Sequence, residues 1–161
     1  MTGDYPAAAQ NLEQAQRIFR DLGEWGGEAT GLNETGTLHR VTGDLARAEA
    51  CHQQALDLAR AIASPWDEAH ALAGLGRCAI AAGRTAGAEE SLQQAHEIFR
   101  RIGAAEAIDI ADQLDALTSA AGDQHQRAEP DSPDRDHPDS RVPPNGHLAD
   151  QLVPKGEDGC L

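Results

Sequence analysis

Seven histidines and three cysteines are the residues of this sequence best suited to metal binding or nucleophilic chemistry. The cysteines are Cys51, Cys78 and Cys160, and their spacing contains no Cys-x-x-Cys pair of the kind found in zinc and redox sites. Cys51 and His52 are adjacent, but neighbours on a helix point about 100° apart and rarely bind one ion together. We therefore expect Cys51 and Cys78 to be small buried apolar residues, and we predict no metal site.

Acidic residues occur in groups that could supply the paired carboxylates of general acid–base catalysis. Asp112 and Asp115 lie three residues apart, and Glu89 is followed directly by Glu90. Acid–base catalysis requires a cleft that excludes water, and a solvated helix face explains these residues better. The sequence contains no nucleophile elbow, phosphate-binding loop, dinucleotide fingerprint or HExxH motif. We therefore expect no catalytic residue, no cofactor and no enzymatic activity.

The net charge of −14 argues against several classes of partner. Nucleic-acid binding depends on basic side chains that neutralise phosphates, and the sequence has no basic patch. No run of about 18 apolar residues predicts a membrane-spanning helix, and the first residues lack the basic and apolar segments of a signal peptide. We predict a cytoplasmic protein that binds neither nucleic acid nor membranes.

The elements that position these residues follow from an internal repeat of 40 residues. Gly3-Asp4, Gly43-Asp44 and Gly83-Arg84 recur at this period. Apolar residues within each repeat are spaced by three or four, which predicts amphipathic helices. Each repeat therefore predicts a helical hairpin. The six predicted helices lie near residues 4–22, 24–41, 44–62, 65–81, 85–102 and 104–120.

Several residues at the predicted helix ends have a physical role there. Gly43 and Gly83 suit the left-handed conformation just past a helix end, and Asp44 can accept a hydrogen bond from the next helix. Ser64 followed by Pro65 is typical of a helix start, with serine as the cap and proline in the first turn.

The chain changes character near residue 122, because six of its eight prolines follow that position. The residues beyond it contain too few apolar side chains to offset the entropy cost of folding. We predict a helical domain over residues 1–121 and a disordered, acidic, proline-rich tail over residues 122–161.

Small and apolar residues recur at fixed positions of the central repeat, namely Gly36, Gly43, Asp44, Ala48, Ala55 and Leu56. With these residues, the segment from residue 3 to residue 120 resembles the tetratricopeptide repeat family. His39 and His52 stand where the family usually has an aromatic residue, so we expect both to pack between paired helices. The 40-residue period is similar to that of the C-terminal repeats of actinobacterial transcriptional regulators and signalling ATPases.

This resemblance implies an all-α, right-handed superhelical stack of antiparallel helix pairs that binds a protein or peptide on its concave face. Arginines among the exposed residues of that face could capture an acidic group of the partner. The setting implied is a bacterial regulatory or signalling system. The candidate peptide-binding residues are Thr30, Asn33, Thr37, Arg40, His70 and Arg77.

Two alternatives remain open at this point. The first repeat begins at Gly3-Asp4-Tyr5, in the second helix of its unit, so one face of that helix lacks a neighbour. The chain could therefore be a scaffold that forms homo-oligomers through its exposed end helices. It could equally be a fragment of a larger transcriptional regulator.

Overall fold

The computed structural model describes residues 4–127 of the protein, and these residues form six α-helices joined by short turns. This confirms the all-α prediction. The last helix runs past its predicted end near residue 120. Most of the predicted tail over residues 122–161 lies outside the described residues, so the boundary at residue 121 stays a prediction. The helices are α1 (Tyr5–Leu22), α2 (Trp25–Val41), α3 (Leu45–Ala61), α4 (Pro65–Ala81), α5 (Thr85–Ile102) and α6 (Glu106–Arg127).

The helix ends follow the predicted turn chemistry. Gly43 and Gly83 have φ angles of +88° and +72°, in the left-handed region that glycine tolerates without strain. Asp44 caps α3 by accepting a hydrogen bond from the backbone N–H of Arg47 at 3.1 Å. Ser64 caps α4, whose first residue is Pro65. The predicted corners of the repeat are thereby confirmed.

One corner departs from the repeat. Gly23 and Gly103 end α1 and α5 with φ angles of +68° and +70°, and the equivalent residue after α3 is Ala63. Ala63 also has a positive φ, of +54°. An L-residue with a Cβ adopts this conformation at a cost of about 1–2 kcal/mol, so this turn is strained where its two counterparts are not.

Each helix packs against the next one in the chain, and α2 also contacts α4. The closest packing depends on small residues. A Cβ built at Gly76 of α4 would lie only 2.7 Å from Cγ of Leu92 in α5, so the glycine creates the space that the leucine fills. The apolar core consists mainly of alanine and leucine with Phe99 and Ile110, and its centre is α4.

The first helix is the least embedded of the six. No residue of α1 is buried, and within the described residues its main packing partner is α2. Tyr5, Ile18 and Leu22 are 43%, 49% and 70% exposed. The expectation that one face of this helix lacks a neighbour therefore agrees with the structure.

The two cysteines expected to be buried differ from one another. Cys78 is fully buried in α4, as predicted. Cys51 is only half-buried, so the prediction was wrong for this residue. Neighbouring residues on a helix point in different directions, and on α3 it is the adjacent His52 that is buried.

Candidate functional site

Two stripes of side chains, one on α2 and one on α4, line a groove that contains a cavity of about 190 Å³. Residues spaced by three or four lie on one face of a helix, and both stripes have this spacing. All six residues predicted to bind a peptide line this one cavity. They are Thr30, Asn33, Thr37 and Arg40 from α2, with His70 and Arg77 from α4.

A buried carboxylate ties the two walls together at one end of the groove. Asp67 of α4 is 6% exposed and accepts hydrogen bonds from the hydroxyls of Thr30, at 2.9 Å, and Ser64, at 2.7 Å. The negative charge is thus hydrogen-bonded on both oxygens, which offsets the cost of burying it. The bond between Thr30 and Asp67 therefore joins α2 to α4 and fixes the width of the groove at this end. Thr30 is exposed, but it also stabilises the fold.

Asn33 does not have the exposure that its sequence position suggested. It is 7% exposed, and its amide nitrogen donates to the backbone carbonyl of Asp67 at 3.2 Å. Its Oδ1 lies 3.1 Å from Nδ1 of His52 on α3. Both ends of the amide are used within the fold, because Asn33 faces α3 on one side and α4 on the other. Asn33 supports the floor of the groove and offers little surface to a ligand.

His52 forms that floor by filling the space above two glycines. A Cβ built at Gly36 would lie 2.7 Å from its ring, and one built at Gly74 would lie 2.3 Å from it. This confirms that His52 packs between helices, whereas His39 is only half-buried. Nε2 of His52 has no hydrogen-bond partner among the described residues. Burial, together with the charges of Arg40 and Arg77, lowers the pKa of His52 to about 4, so the ring is neutral near pH 7.

Arg40 and Arg77 place two positive charges near each other at the other end of the groove. Arg77 donates its Nε–H to Oε1 of Gln113 at 3.1 Å. Burial, and secondarily the charge of Arg40, lowers the pKa of Arg77, while Asp109 acts in the opposite direction. Neither arginine forms a salt bridge within residues 4–127. Two cations placed in this way can interact with a group that carries negative charge.

An aromatic cluster closes the end of the groove that lies away from the arginines. The rings of Trp66 and His70 are 4.7 Å apart, and His70 lies 5.1 Å from Phe99 in an edge-to-face arrangement. Burial lowers the pKa of His70, which nearby acidic residues only partly oppose. Trp66 was not among the predicted site residues, although its spacing of four from His70 and eleven from Arg77 places all three on one face of α4.

A second, larger cavity of about 580 Å³ lies on another face of the stack, between α3 and α5. It is lined by small residues such as Ala50 and Gly87. The cation in this cavity, Arg84, already forms a salt bridge with Glu49. The groove between α2 and α4, in contrast, contains two arginines without a carboxylate partner among the described residues. We therefore regard it as the candidate site.

Three further features of the described residues bear on function. No group of three or more His, Cys, Asp and Glu side chains within them is arranged to hold a metal ion. None of the six helices is both long and apolar enough to cross a membrane. Asp112 and Asp115 are exposed on α6, as expected for a solvated helix face.

Comparison with known families decides what kind of helical stack this is. Residues 27–101 match the profile of the tetratricopeptide repeat family, and this segment extends from α2 to α5. Residues 27–101 are tetratricopeptide repeats. The match contains both walls and the floor of the groove, and the predicted family is confirmed. A search of the curated proteins found none that matches the chain.

Membership of this family gives these repeats a general role. Tetratricopeptide repeats are protein–protein interaction modules, and their all-α fold is typically not catalytic. The expected class of partner is therefore another protein or a peptide segment of one.

Proposed function

We propose that the groove between α2 and α4 binds a peptide segment of a partner protein by capturing an acidic group between Arg40 and Arg77. The proposal rests on the absence of a carboxylate partner for these two residues among the described residues. Arg40 and Arg77 both line the cavity, and neither has a carboxylate partner among the described residues, whereas five other arginines do. Arg100 and Arg101 also form no salt bridge there, but they lie at the end of α5, outside the groove. A carboxylate or phosphate between them would supply the missing countercharge.

The side chains around the arginines suit a narrow ligand. The hydroxyl of Thr37 is exposed between the arginine end and the middle of the groove, so it can donate to or accept from a peptide backbone. The rest of the protein is strongly acidic, with a net charge of −14. A broad acidic surface would therefore be repelled, and a short acidic segment that reaches only the groove is favoured.

Peptide selection against three forms of the full chain tests this proposal. Random peptides displayed on phage would be selected on the wild type and then measured on the R40A/R77A and R100A/R101A variants. The control removes the same charge from the end of α5, outside the groove. We expect the selected peptides to be acidic and to bind R40A/R77A at least about tenfold more weakly, with the control unchanged. Equal binding to all three forms would refute the proposal.

We also propose that the partner belongs to a bacterial regulatory or signalling system in the cytoplasm. This rests on the resemblance of the 40-residue repeats to the C-terminal repeats of actinobacterial regulators. A photoreactive residue at position 37, on the exposed stripe, would crosslink the bound partner for identification by mass spectrometry. A crosslinked partner from metabolism or transport would argue against this setting.

The exposed face of α1 favours a second candidate, a scaffold assembled through this helix. Leu22 and Ile18 are 70% and 49% exposed on a helix that has no buried residue. Light scattering over a range of concentrations would test this with an I18E/L22E variant and with I80E, which adds charge at an exposed isoleucine of α4, away from both end helices. The scaffold predicts a dimer that only the α1 variant dissociates; a monomeric wild type excludes it.

A further inference from the structure

We infer that Trp66 forms a second subsite of the same groove, and that the bound peptide carries an apolar side chain and an acidic side chain about three to five residues apart. This inference rests on the proposed capture of an acidic group by Arg40 and Arg77. It adds that the ligand has an apolar side chain as well as an acidic one, and that the ligand lies along α4 from Trp66 to Arg77.

The separation follows from the helix that carries both subsites. Trp66, His70, Gly74 and Arg77 form one continuous stripe along α4. Eleven residues separate Trp66 from Arg77, which corresponds to about 16 Å along the helix axis. An extended peptide advances about 3.3 Å per residue, and the arginine side chains reach toward the middle of the groove. An acidic and an apolar side chain about three to five residues apart therefore reach both ends.

The aromatic end has the character of an apolar subsite. Trp66 is 46% exposed even though it contacts His70 and lies 6.1 Å from Phe99. The indole is thus supported from behind by two rings and open toward the cavity, where an aliphatic or aromatic side chain would cover it. Asp67 lies at this end too, but both of its oxygens are used by Thr30 and Ser64.

The middle of the groove lets one chain pass between the two ends. Gly36 of α2 and Gly74 of α4 have no side chains, so the groove is open between them down to the ring of His52. Glu34 lies on the lining near the middle and is exposed. Its charge disfavours an acidic residue there, so the acidic side chain of the ligand is directed to Arg40 and Arg77.

The two tryptophans of the chain provide a matched probe and control. Trp25 begins α2 and is 51% exposed, but it does not line the cavity. In a W25F variant of the full chain, Trp66 is the remaining tryptophan, so its fluorescence reports directly on the proposed subsite. The probes are synthetic peptides with blocked ends, containing one Phe and one Asp separated by one to eight Gly or Ser residues. Matched peptides contain Phe alone or Asp alone.

We expect the Trp66 emission to change saturably with the two-residue peptides, and the affinity to be highest when Phe and Asp are three to five positions apart. The peptide with Asp alone should bind at least about tenfold more weakly. Changing Trp66 to Ala should remove this advantage, measured by calorimetry, while changing Trp25 to Ala should not.

The outcomes separate this inference from the proposed function. If the peptide with Asp alone binds as tightly as the best two-residue peptide and depends on Arg40 and Arg77, the acidic site stands and the Trp66 subsite is wrong. Affinity independent of spacing has the same consequence for the inference. If no peptide binds, or binding is unchanged in R40A/R77A, the proposed function fails and the inference fails with it.

Discussion

Nδ1 of His52 lies 3.1 Å from Oδ1 of Asn33. Because the amide nitrogen of Asn33 donates to the carbonyl of Asp67, its Oδ1 is the acceptor, and His52 must carry its proton on Nδ1. One hydrogen-bonded chain therefore joins α3 to α2 and α2 to α4 beneath the groove. A change at His52 acts on all three helices.

Acidification should destabilise the fold through His52. The pKa of its ring is about 4 in the folded protein, mainly because the ring is buried, against an ordinary value of 6.5. The unfolded chain therefore binds this proton more readily. The stabilisation is fully present above pH 6.5 and is lost as the pH falls from 6.5 to about 4, by a total of about 3 kcal/mol.

Urea unfolding followed by circular dichroism, at intervals between pH 7.5 and 4, measures this loss. A H52L variant provides the comparison, because Leu12 and Leu92 occupy the equivalent positions of the neighbouring repeats. We expect H52L to lose less stability than the wild type over this range, although His70, whose pKa is also lowered, contributes in the same direction in both proteins. Parallel pH profiles would show that His52 does not titrate as described.

Gly74 should tolerate no side chain. A Cβ at this position would lie 2.3 Å from the His52 ring, so G74A should cost about 2–3 kcal/mol of unfolding free energy. Gly87 has open space around its Cα, and G87A should instead stabilise α5 by about 0.5–1 kcal/mol. Adding H52A to G74A should recover part of the loss. Chemical denaturation of the wild type, G74A, G87A, H52A and G74A/H52A checks this, and additive effects of G74A and H52A would contradict it.

The bond between Thr30 and Asp67 should show energetic coupling. The hydroxyl of Thr30 donates to a carboxylate that is almost fully buried, so T30V and D67N should interact by about 1–2 kcal/mol in a double-mutant cycle. Thr37, exposed on the same stripe, makes no hydrogen bond among the described residues, and T37V paired with D67N is the control. Additivity in the Thr30 cycle would mean that the bond does not stabilise the groove.

Relieving the strain at Ala63 should stabilise the protein. Its φ of +54° is that of a glycine position, and the neighbouring repeats have glycine there. We expect A63G to raise the free energy of unfolding by about 0.5–1 kcal/mol after the larger chain entropy of glycine is included. Ala82 has a φ of −88°, so A82G should be destabilising. Thermal melts of both variants provide the measurement, and a loss in A63G would disprove the strain.

The helices were predictable because local signals in this sequence agree with one another. The period of 40 residues, the glycine at four of the five corners and the Ser64-Pro65 start predict the ends of α1 to α5 to within one residue. The resemblance to the tetratricopeptide repeat family, counted from Gly36 and Gly76, selected the six residues that line the groove. It could not reveal the burial of Asn33, because that depends on Asp67, which is 34 residues away and contributes its backbone carbonyl.

Other parts of the site depend on three-dimensional packing that the sequence pattern does not encode. The role of Gly74 depends on the ring of His52 from another helix, and small residues are common at this part of every repeat. Trp66 follows Pro65, and the equivalent residue of the preceding repeat is Gly26. The repeat pattern therefore gives no indication that position 66 contributes a side chain to the groove. The tail beyond residue 127 stays a prediction.

The shallow embedding of α1 has a consequence for the groove. Hydrogen exchange at backbone amides depends on local opening, and opening of α1 removes one neighbour of α2, whereas α4 is held by α3 and α5. The wall that carries Arg40 is therefore the less protected one. A ligand that bridges Arg40 and Arg77 should slow amide exchange in α2 far more than in α4, so that occupancy of the groove stiffens one half of the stack.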